Sequence, residues 1–150
     1  MSEPSRLKIV VIGTGYVGLP TALLLASAGH EVVGVDIDEN IVRAINEGVM
    51  LIREEELQAI MDRPSVRANL RAQSEPCAAD VFVIAVPTPL DHRKKVADLH
   101  HVVHATRSIL PHLRKGSLVV LESTVPPLTC REVMTPLMEQ TGLKVGEDVY

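Results

Sequence analysis

Aromatic residues are scarce in this 150-residue chain: they make up 2% of it, and none is tryptophan. The three aromatic residues are Tyr16, Phe82 and Tyr150. Hydrophobic residues nevertheless account for 46% of the sequence, so the core must be packed from Val, Ile, Leu and Ala. This length and composition are typical of one globular domain with a sizeable buried core.

An excess of positive charge is also missing, which argues against a nucleic-acid-binding protein. The chain carries 15 basic and 19 acidic residues, a formal net charge of -4, and has no general attraction to a polyanion. Two small basic clusters occur, at residues 93–95 and at Arg63, Arg67 and Arg71. Because no aromatic residues are interleaved with them, we interpret both as solvated surface.

Cysteines and long apolar runs are few as well. Cys77 and Cys130 are far apart and lack metal-binding spacing, which predicts reduced thiols in a cytoplasmic protein. No apolar run approaches the roughly 18 residues of a membrane span, and the residues before the first predicted strand do not resemble a signal peptide. We therefore expect no membrane partner.

Short apolar runs and amphipathic segments alternate along the chain. Predicted strands cover residues 7–12, 31–36, 81–86 and 117–122, and predicted helices cover 16–28, 39–46, 54–61, 99–113 and 129–140. We predict the strands at 81–86 and 117–122 to be buried, a short third strand within the weak pattern at 66–72, and the start of one more at residues 149–150.

Repeated β-α-β units indicate the α/β class, with a doubly wound parallel sheet of the Rossmann type and helices on both faces. We expect a single domain over residues 1–150, truncated near the start of its last strand.

The most specific motif is the segment VVIGTGYVGLP, in which Gly13, Gly15 and Gly18 form G-x-G-x-x-G between a strand and a helix. The first glycine permits a tight turn, the second admits a pyrophosphate next to the backbone, and the third allows close packing of the helix. We expect the N–H groups of Tyr16 and Val17, at the start of this helix, to bind the phosphates.

An acidic residue at the end of the second predicted strand completes the dinucleotide pattern. Asp36 lies where a carboxylate accepts hydrogen bonds from the adenosine ribose. Asp38 and Glu39 add negative charge, and no Arg or Lys follows before Arg43. A 2′-phosphate would be repelled here, so the sequence predicts NAD and not NADP as the cofactor.

Two further loops follow the predicted strands at 81–86 and 117–122, and such a sheet places the first of these two strands beside the strand at 7–12. Residues 86–89 read VPTP, and residues 122–127 read ESTVPP. Two interpretations stay open: the two prolines hold Thr88 towards the cofactor crevice, or they only end the strand. Ser123 and Thr124 either cap the next helix or face the nicotinamide end of the cofactor.

With these segments in place, the sequence resembles the UDP-glucose/GDP-mannose dehydrogenase family. The segments IGTGYVGLPTA, DVFVIAVPTP and LVVLESTVPP carry the resemblance, which covers nearly the whole chain. The phrases AVPTP and EST favour the branch that oxidises UDP-N-acetylhexosamines such as UDP-N-acetylmannosamine; UDP-glucose or GDP-mannose is the alternative substrate.

The resemblance implies oxidation of a sugar C6 alcohol to a carboxylate with two NAD, through a thiohemiacetal and a thioester on a cysteine. It also implies a homodimer or higher oligomer for the complete enzyme, and a helper role near the reacting centre for Thr124. It assigns cofactor contacts to the following residues: Gly13, Gly15, Tyr16, Val17, Gly18, Asp36, Thr88 and Thr124.

Three departures from the family pattern stand out. The catalytic cysteine belongs to a later segment of the family, and neither Cys77 nor Cys130 matches it, so we expect this chain to lack the substrate and dimerisation domains and to be inactive alone. The family commonly has glycine shortly after S-T-x-P, where this chain has Pro127 and Leu128. Some members also have a basic residue where this chain has Ile41.

The histidines and cysteines suggest little further chemistry. His100 and His104 have an i, i+4 spacing that can bind zinc, but we interpret them as part of a polar helix face and predict no metal. We interpret Cys77 as a small packing residue. Two other functions stay open for the whole chain: another dehydrogenase class on the same fold, such as a β-hydroxyacid dehydrogenase, and a non-enzymatic module that senses NAD(H).

Overall fold

Five parallel strands form the central sheet of the computed structural model, which describes residues 5–51, 54–91 and 95–150. The five are β1 (Lys8–Ile12), β2 (Glu31–Val35), β3 (Leu70–Gln73), β4 (Val81–Ile84) and β7 (Leu118–Leu121). Two short strands, β5 (Leu90–Asp91) and β6 (Val96–Ala97), pair antiparallel outside this sheet.

Six α-helices accompany the sheet in the described residues: α1 (Gly18–Ser27), α2 (Glu39–Glu47), α3 (Glu55–Met61), α4 (Pro64–Asn69), α5 (His100–Ile109) and α6 (Thr135–Met138). Short 3₁₀ turns follow α5 and α6, at Leu110–His112 and Glu139–Thr141, and a π-helical turn at Cys130–Met134 precedes α6. None of these helices is long and apolar enough to cross a membrane.

The strand order is β3-β2-β1-β4-β7, so the chain reverses its direction of travel across the sheet after β3. β1 pairs with β2 on one side and with β4 on the other. In parallel sheets of this kind, a ligand crevice opens at the carboxyl ends of the strands where the order reverses. The predicted Rossmann fold class is confirmed, and it places the candidate site at the ends of β1, β2 and β4.

Alternation along the strands creates two apolar cores, one on each face of the sheet. Ile9, Val11 and Val32 face α1 to α4 on one side, whereas Val10 and Val33 face α5 and α6 on the other. The near absence of aromatic residues leaves Phe82 as the largest fully buried side chain. Because both faces are covered, β1 and β2 are buried along almost their whole length.

The third strand lies close to its predicted place, but a helix before it was not predicted. Residues 64–69 form α4, and β3 follows at Leu70. Pro64 begins the helix, where the N–H that proline lacks is not needed. Val66 is the only buried residue of α4, so the sequence shows no helical periodicity.

The predicted strand at 117–122 is present as β7, but the prediction that it is buried was wrong. β7 lies toward one edge of the sheet, and Leu118 is 41% exposed. The N–H of Val119 donates to the carbonyl of Tyr150 at 2.6 Å, and the N–H of Tyr150 donates to the carbonyl of Ser117 at 2.9 Å. This is the parallel pattern predicted for a strand that starts at residues 149–150.

The last predicted helix, 129–140, is helical along its whole length, but its geometry changes within it. Its first part is the π-helical turn, in which the N–H of Thr135 donates to the carbonyl of Cys130, five residues earlier. Pro136 follows, and it has no N–H to continue an α-helical ladder. The proline therefore accounts for the change in helical geometry at this point.

A side chain makes hydrogen bonds to backbone groups on the outer edge of β3. The amide nitrogen of Asn46, in α2, donates to the carbonyl of Ala72 at 2.9 Å, and its Oδ1 accepts from the Ala72 N–H at 2.8 Å. Asn46 therefore pairs with β3 as a neighbouring strand would. This bond pair connects α2, which follows the predicted ribose acid, to the sheet.

We expect Asn46→Ala to lower the free energy of unfolding by about 1–3 kcal/mol, because both partners on the Ala72 backbone lose a partly buried hydrogen bond. Chemical denaturation followed by circular dichroism measures the change. Glu47→Ala, at the neighbouring exposed position, is the matched control and should change stability by less than about 0.5 kcal/mol. Equal stability of the two variants would contradict this role for Asn46.

Candidate functional site

A crevice of about 860 Å³ lies at the carboxyl ends of the strands. Four loops contribute to its walls: the glycine turn after β1, the end of β2, the loop after β4 and the loop after β7. Residues 74–76 after β3 and one face of α5 complete the lining. The reversal of strand order therefore coincides with a cavity large enough for a cofactor.

Missing side chains at the glycine turn make the close packing beneath the crevice possible. Gly13 has φ +85, and a Cβ there would lie 2.6 Å from the carbonyl oxygen of Ala85. A Cβ on Gly18 would lie 1.8 Å from the carbonyl oxygen of Gly13. Gly18 thus lets α1 approach the turn itself, as well as the sheet.

Gly15 differs from the other two glycines, because a Cβ there would meet no atom within 4 Å. Gly15 lines the crevice, so a side chain would protrude into the space where a ligand would lie. Its location therefore fits close approach of a phosphate to the backbone.

The predicted phosphate donors lie just before the helix. α1 begins at Gly18, two residues later than predicted, and its first backbone bond is donated by Leu19 to the carbonyl of Gly15 at 3.1 Å. The N–H groups of Tyr16 and Val17 precede that bond, and both residues line the crevice. The first turn of α1 contains no acidic residue of its own, although the carboxylate of Glu122 accepts from the hydroxyl of Thr21 in that turn at 3.0 Å.

Asp36 lies at the end of β2 and lines the crevice. Its Oδ2 accepts from the N–H and from the hydroxyl of Thr14, both at 2.9 Å, and its Oδ1 accepts from the N–H of Asp38 at 3.1 Å. Asp38 in turn caps α2 by accepting from the N–H of Asn40 at 2.8 Å. The position of the predicted ribose acid is thus fixed by backbone and side-chain bonds.

Apolar side chains follow the acid. Ile37 is 82% exposed and lines the crevice together with Ile41. The crevice wall here is apolar, which is suitable for packing against a flat base.

The loops after β4 and β7 are bonded to each other. The hydroxyl of Thr88 donates to the carbonyl of Thr124 at 2.6 Å, and the hydroxyl of Ser123 donates to the carbonyl of Val86 at 2.7 Å. Thr88, Ser123 and Thr124 all line the crevice. β4 ends at Ile84, the N–H of Ala85 still donates to the carbonyl of Ile12 at 2.8 Å, and the two prolines lie in the loop that follows.

Neither Ser123 nor Thr124 caps the next helix, which was one of two interpretations of this segment. The helical segment begins at Cys130, and the hydroxyl of Thr129 bonds back to the carbonyl of Pro126 at 2.8 Å. Leu128, in this loop, has φ 71, a conformation that L-residues adopt at a cost. The backbone at Leu128 thus has a left-handed conformation that glycine adopts without strain.

Histidines of α5 line the crevice, which sequence reasoning missed when it assigned them to a polar helix face. They are His100, His101 and His104, and the rings of the first two lie 3.7 Å apart between centroids. The N–H and the imidazole of His100 bond to Asp98 and hold the pKa of its carboxyl below the usual value. The i, i+1, i+4 spacing of the three histidines could have indicated that they share one helix face and line the same cavity.

Within the described part of the chain, no group of three or more His, Cys, Asp or Glu side chains is arranged to hold a metal ion. Cys77 is partly buried and packs against the core beneath α5, as expected for a packing residue. Cys130 is exposed. Neither cysteine is among the residues that line the crevice.

A family model described as the UDP-glucose/GDP-mannose dehydrogenase family, NAD binding domain, matches residues 7–150. The chain belongs to this family. Its NAD-binding domain thus has NAD as its cofactor, as the glycine turn and Asp36 predicted.

Relatives agree with the branch that the sequence favoured. The chain is 41% identical over 140 residues to a UDP-N-acetyl-D-mannosamine dehydrogenase of Methanococcus aeolicus, which covers 92% of this chain and 32% of that protein. It is 49% identical over 119 residues to an NDP-N-acetyl-D-galactosaminuronic acid dehydrogenase of Ralstonia nicotianae, covering 79% of this chain and 28% of that protein.

A solved structure gives the same picture. The UDP-N-acetyl-mannosamine dehydrogenase of Staphylococcus aureus matches 95% of this chain with a TM-score of 0.90 and 39% identity, over 35% of its own length. The chain therefore spans about a third of the length of the relatives it matches.

Most of the predicted site residues of this NAD-binding domain meet in one place. The crevice is lined by Gly13, Gly15, Tyr16, Val17, Asp36, Thr88 and Thr124. Gly18 is buried behind the turn, where its role is packing. Thr14, whose N–H and hydroxyl both bond to Asp36, was missed, because nothing in its local sequence shows which residue it contacts.

We expect Leu128→Gly to raise the free energy of unfolding by about 0.5–1 kcal/mol, because glycine removes the left-handed strain and offsets its own larger unfolded-state entropy. The exposed side chain loses little burial. Thermal and urea unfolding measure the gain. Leu128→Ala keeps a Cβ at the same φ and should not stabilise; an equal gain in both variants would contradict the strain.

Proposed function

We propose that this chain is the NAD-binding part of a nucleotide-sugar 6-dehydrogenase whose substrate is a UDP-N-acetylhexosamine, with UDP-N-acetylmannosamine as the first choice. The observation that carries the proposal is a single crevice in which the glycine turn, Asp36 and the two bonded loops after β4 and β7 meet. The relatives in which similar domains occur are dehydrogenases of N-acetylated nucleotide sugars.

The residues present fit NAD. The backbone of Gly15 is uncovered by neighbouring atoms, and Tyr16 and Val17, which precede α1, line the same crevice, where the N-terminus of a helix favours anions. We assign the pyrophosphate to this turn, the adenosine ribose to Asp36, and the adenine to the wall that contains Ile37 and Ile41.

The loops after β4 and β7 are assigned to the nicotinamide end. The hydroxyls of Thr88 and Ser123 are used to tie the loops together, so these residues shape the pocket. The hydroxyl of Thr124 lines the same crevice, and we assign it a helper role beside the reacting centre.

Bound NAD would supply the hydride acceptor for oxidation of the sugar at C6. The chain's own contribution is to bind and orient the dinucleotide between fixed loops, so that one face of the nicotinamide is presented to the substrate. The nucleophilic cysteine and the sugar-binding residues are proposed to lie in the part of the family fold that this chain does not span, as is the oligomer interface of a dimer or higher assembly.

Cofactor choice is tested by calorimetric titration of the chain with NADH and NADPH, since the absence of tryptophan removes the usual fluorescence signal. We expect NADH to bind and NADPH to bind much more weakly, because the carboxylate of Asp36 repels a 2′-phosphate. Asp36→Ala should lower the affinity for NADH by about tenfold to a hundredfold, because hydrogen bonds to a charged acceptor are lost. It should also reduce the difference between the affinities for NADH and NADPH.

Glu47→Ala, exposed and outside the crevice lining, is the control for that titration and should leave both affinities unchanged. Wild-type protein that binds NADPH as tightly as NADH would contradict the assignment of Asp36.

The proposal that the nucleophilic cysteine lies in another segment is tested by adding UDP-N-acetylmannosamine and NAD to the purified chain and following NADH absorbance. We expect no NADH, because neither Cys77 nor Cys130 lines the crevice. A complete family dehydrogenase assayed in parallel verifies the reagents. Turnover by the 150-residue chain would overturn the assignment of the nucleophile to another segment.

A further inference from the structure

The side chain of Thr14 is buried beneath the crevice although it occupies a variable position of the glycine motif. Thr14 is 2% exposed. Its hydroxyl and its N–H both donate to the same oxygen, Oδ2 of Asp36, at 2.9 Å. Two donors from one residue therefore hold one oxygen of the carboxylate.

These bonds leave the two carboxylate oxygens of Asp36 unequal. A carboxylate has about four acceptor positions, two on each oxygen. Thr14 takes two on Oδ2, and the N–H of Asp38 takes one on Oδ1 at 3.1 Å. Acceptor capacity for a ligand hydroxyl thus lies on Oδ1, and the carboxylate cannot rotate without breaking the Thr14 bonds.

Gly34, in β2, makes room for this arrangement. A Cβ on Gly34 would lie 2.9 Å from Cγ2 of Thr14. A threonine relieves such a contact by rotation about χ1, and because its methyl and hydroxyl share one carbon, that rotation removes the hydroxyl from Asp36. A glycine in the strand is therefore needed for the threonine to keep its bond.

We propose that Thr14 is a positioning residue that acts through Asp36, with Gly34 as its required neighbour, and that this trio sets the preference of the domain for NAD over NADP. The inference rests on the proposed binding of the adenosine ribose by Asp36. It explains why an otherwise weak sequence feature, a glycine inside a buried strand, is paired with a threonine between the first two glycines.

The central test compares Thr14→Val with Thr14→Ser by calorimetric titration with NADH and NADPH. Valine keeps the shape and loses the hydroxyl, so we expect NADH to bind about tenfold more weakly, the effect of one hydrogen bond to a charged group. The ratio of the NADH to the NADPH affinity should fall by a similar factor. Serine keeps the hydroxyl, so the NADH affinity and the affinity ratio of Thr14→Ser should stay within about twofold of the wild type.

A second pair of variants tests whether Gly34 is needed to make room for the methyl group of Thr14. Gly34→Ala alone should reduce the same affinity ratio, because the new methyl displaces Cγ2 of Thr14. Combined with Thr14→Ser, which has no Cγ2, the same change should be tolerated and the ratio restored. Rescue of a glycine substitution by a smaller residue at position 14 is a result that a general loss of stability does not produce.

The outcomes separate this inference from the proposed function. Wild-type protein without a preference for NADH would overturn both. A wild type that prefers NADH, together with a Thr14→Val variant whose affinity ratio is unchanged, would overturn the role of Thr14 alone. Thermal melting confirms that each variant is folded; if Thr14→Val does not fold, failure of Thr14→Ser to rescue Gly34→Ala would overturn the proposal by itself.

Discussion

The close approach of three backbone segments at the glycine turn is the constraint on which the rest of this domain depends. Gly13 leaves β1 against the carbonyl of Ala85 at the end of β4, and Gly18 brings the start of α1 onto the carbonyl of Gly13. A side chain on Gly13 would push the turn away from the segment after β4, and a side chain on Gly18 would push α1 away from the turn. The turn, the helix and the neighbouring strand can therefore meet only when both Cβ atoms are missing, and the floor of the crevice is formed by that meeting.

The two walls of the crevice are fixed by different kinds of bond. On the adenosine side, a buried threonine and a capping aspartate immobilise the Asp36 carboxylate. On the other side, hydroxyl-to-carbonyl bonds of Thr88 and Ser123 join the loops after β4 and β7. Polar groups that line the cavity are thus oriented in advance, which lowers the cost of ordering them when a ligand binds.

Charge in the crevice is arranged around the end of α1. The described lining contains three carboxylates, of Asp36, Glu75 and Glu122, and no Lys or Arg. Glu122 accepts from the hydroxyl of Thr21 at 3.0 Å and is held against α1. Among the described lining residues, the features that favour a dinucleotide pyrophosphate are the backbone N–H groups of the glycine turn and the dipole of α1.

The sequence by itself determined the fold class, the family and the chemistry of the glycine turn, because each of these depends on residues that are close in the chain. Apolar periodicity located most strands and helices, and three glycines followed by Asp36 predicted where a dinucleotide would bind. Boundaries that depend on single residues were less accessible: α4 has one buried position, and Pro136 alters the last helix by a local steric effect.

Only the tertiary structure decided which distant residues share a contact. It showed that Thr14 meets Asp36 and Gly34, that Asn46 completes the edge of β3, and that the histidines of α5 face the crevice. Sequence periodicity indicates that a residue faces inward or outward but does not identify its partner. The partner is set by strand order and helix packing, which bring together segments that are dozens of residues apart.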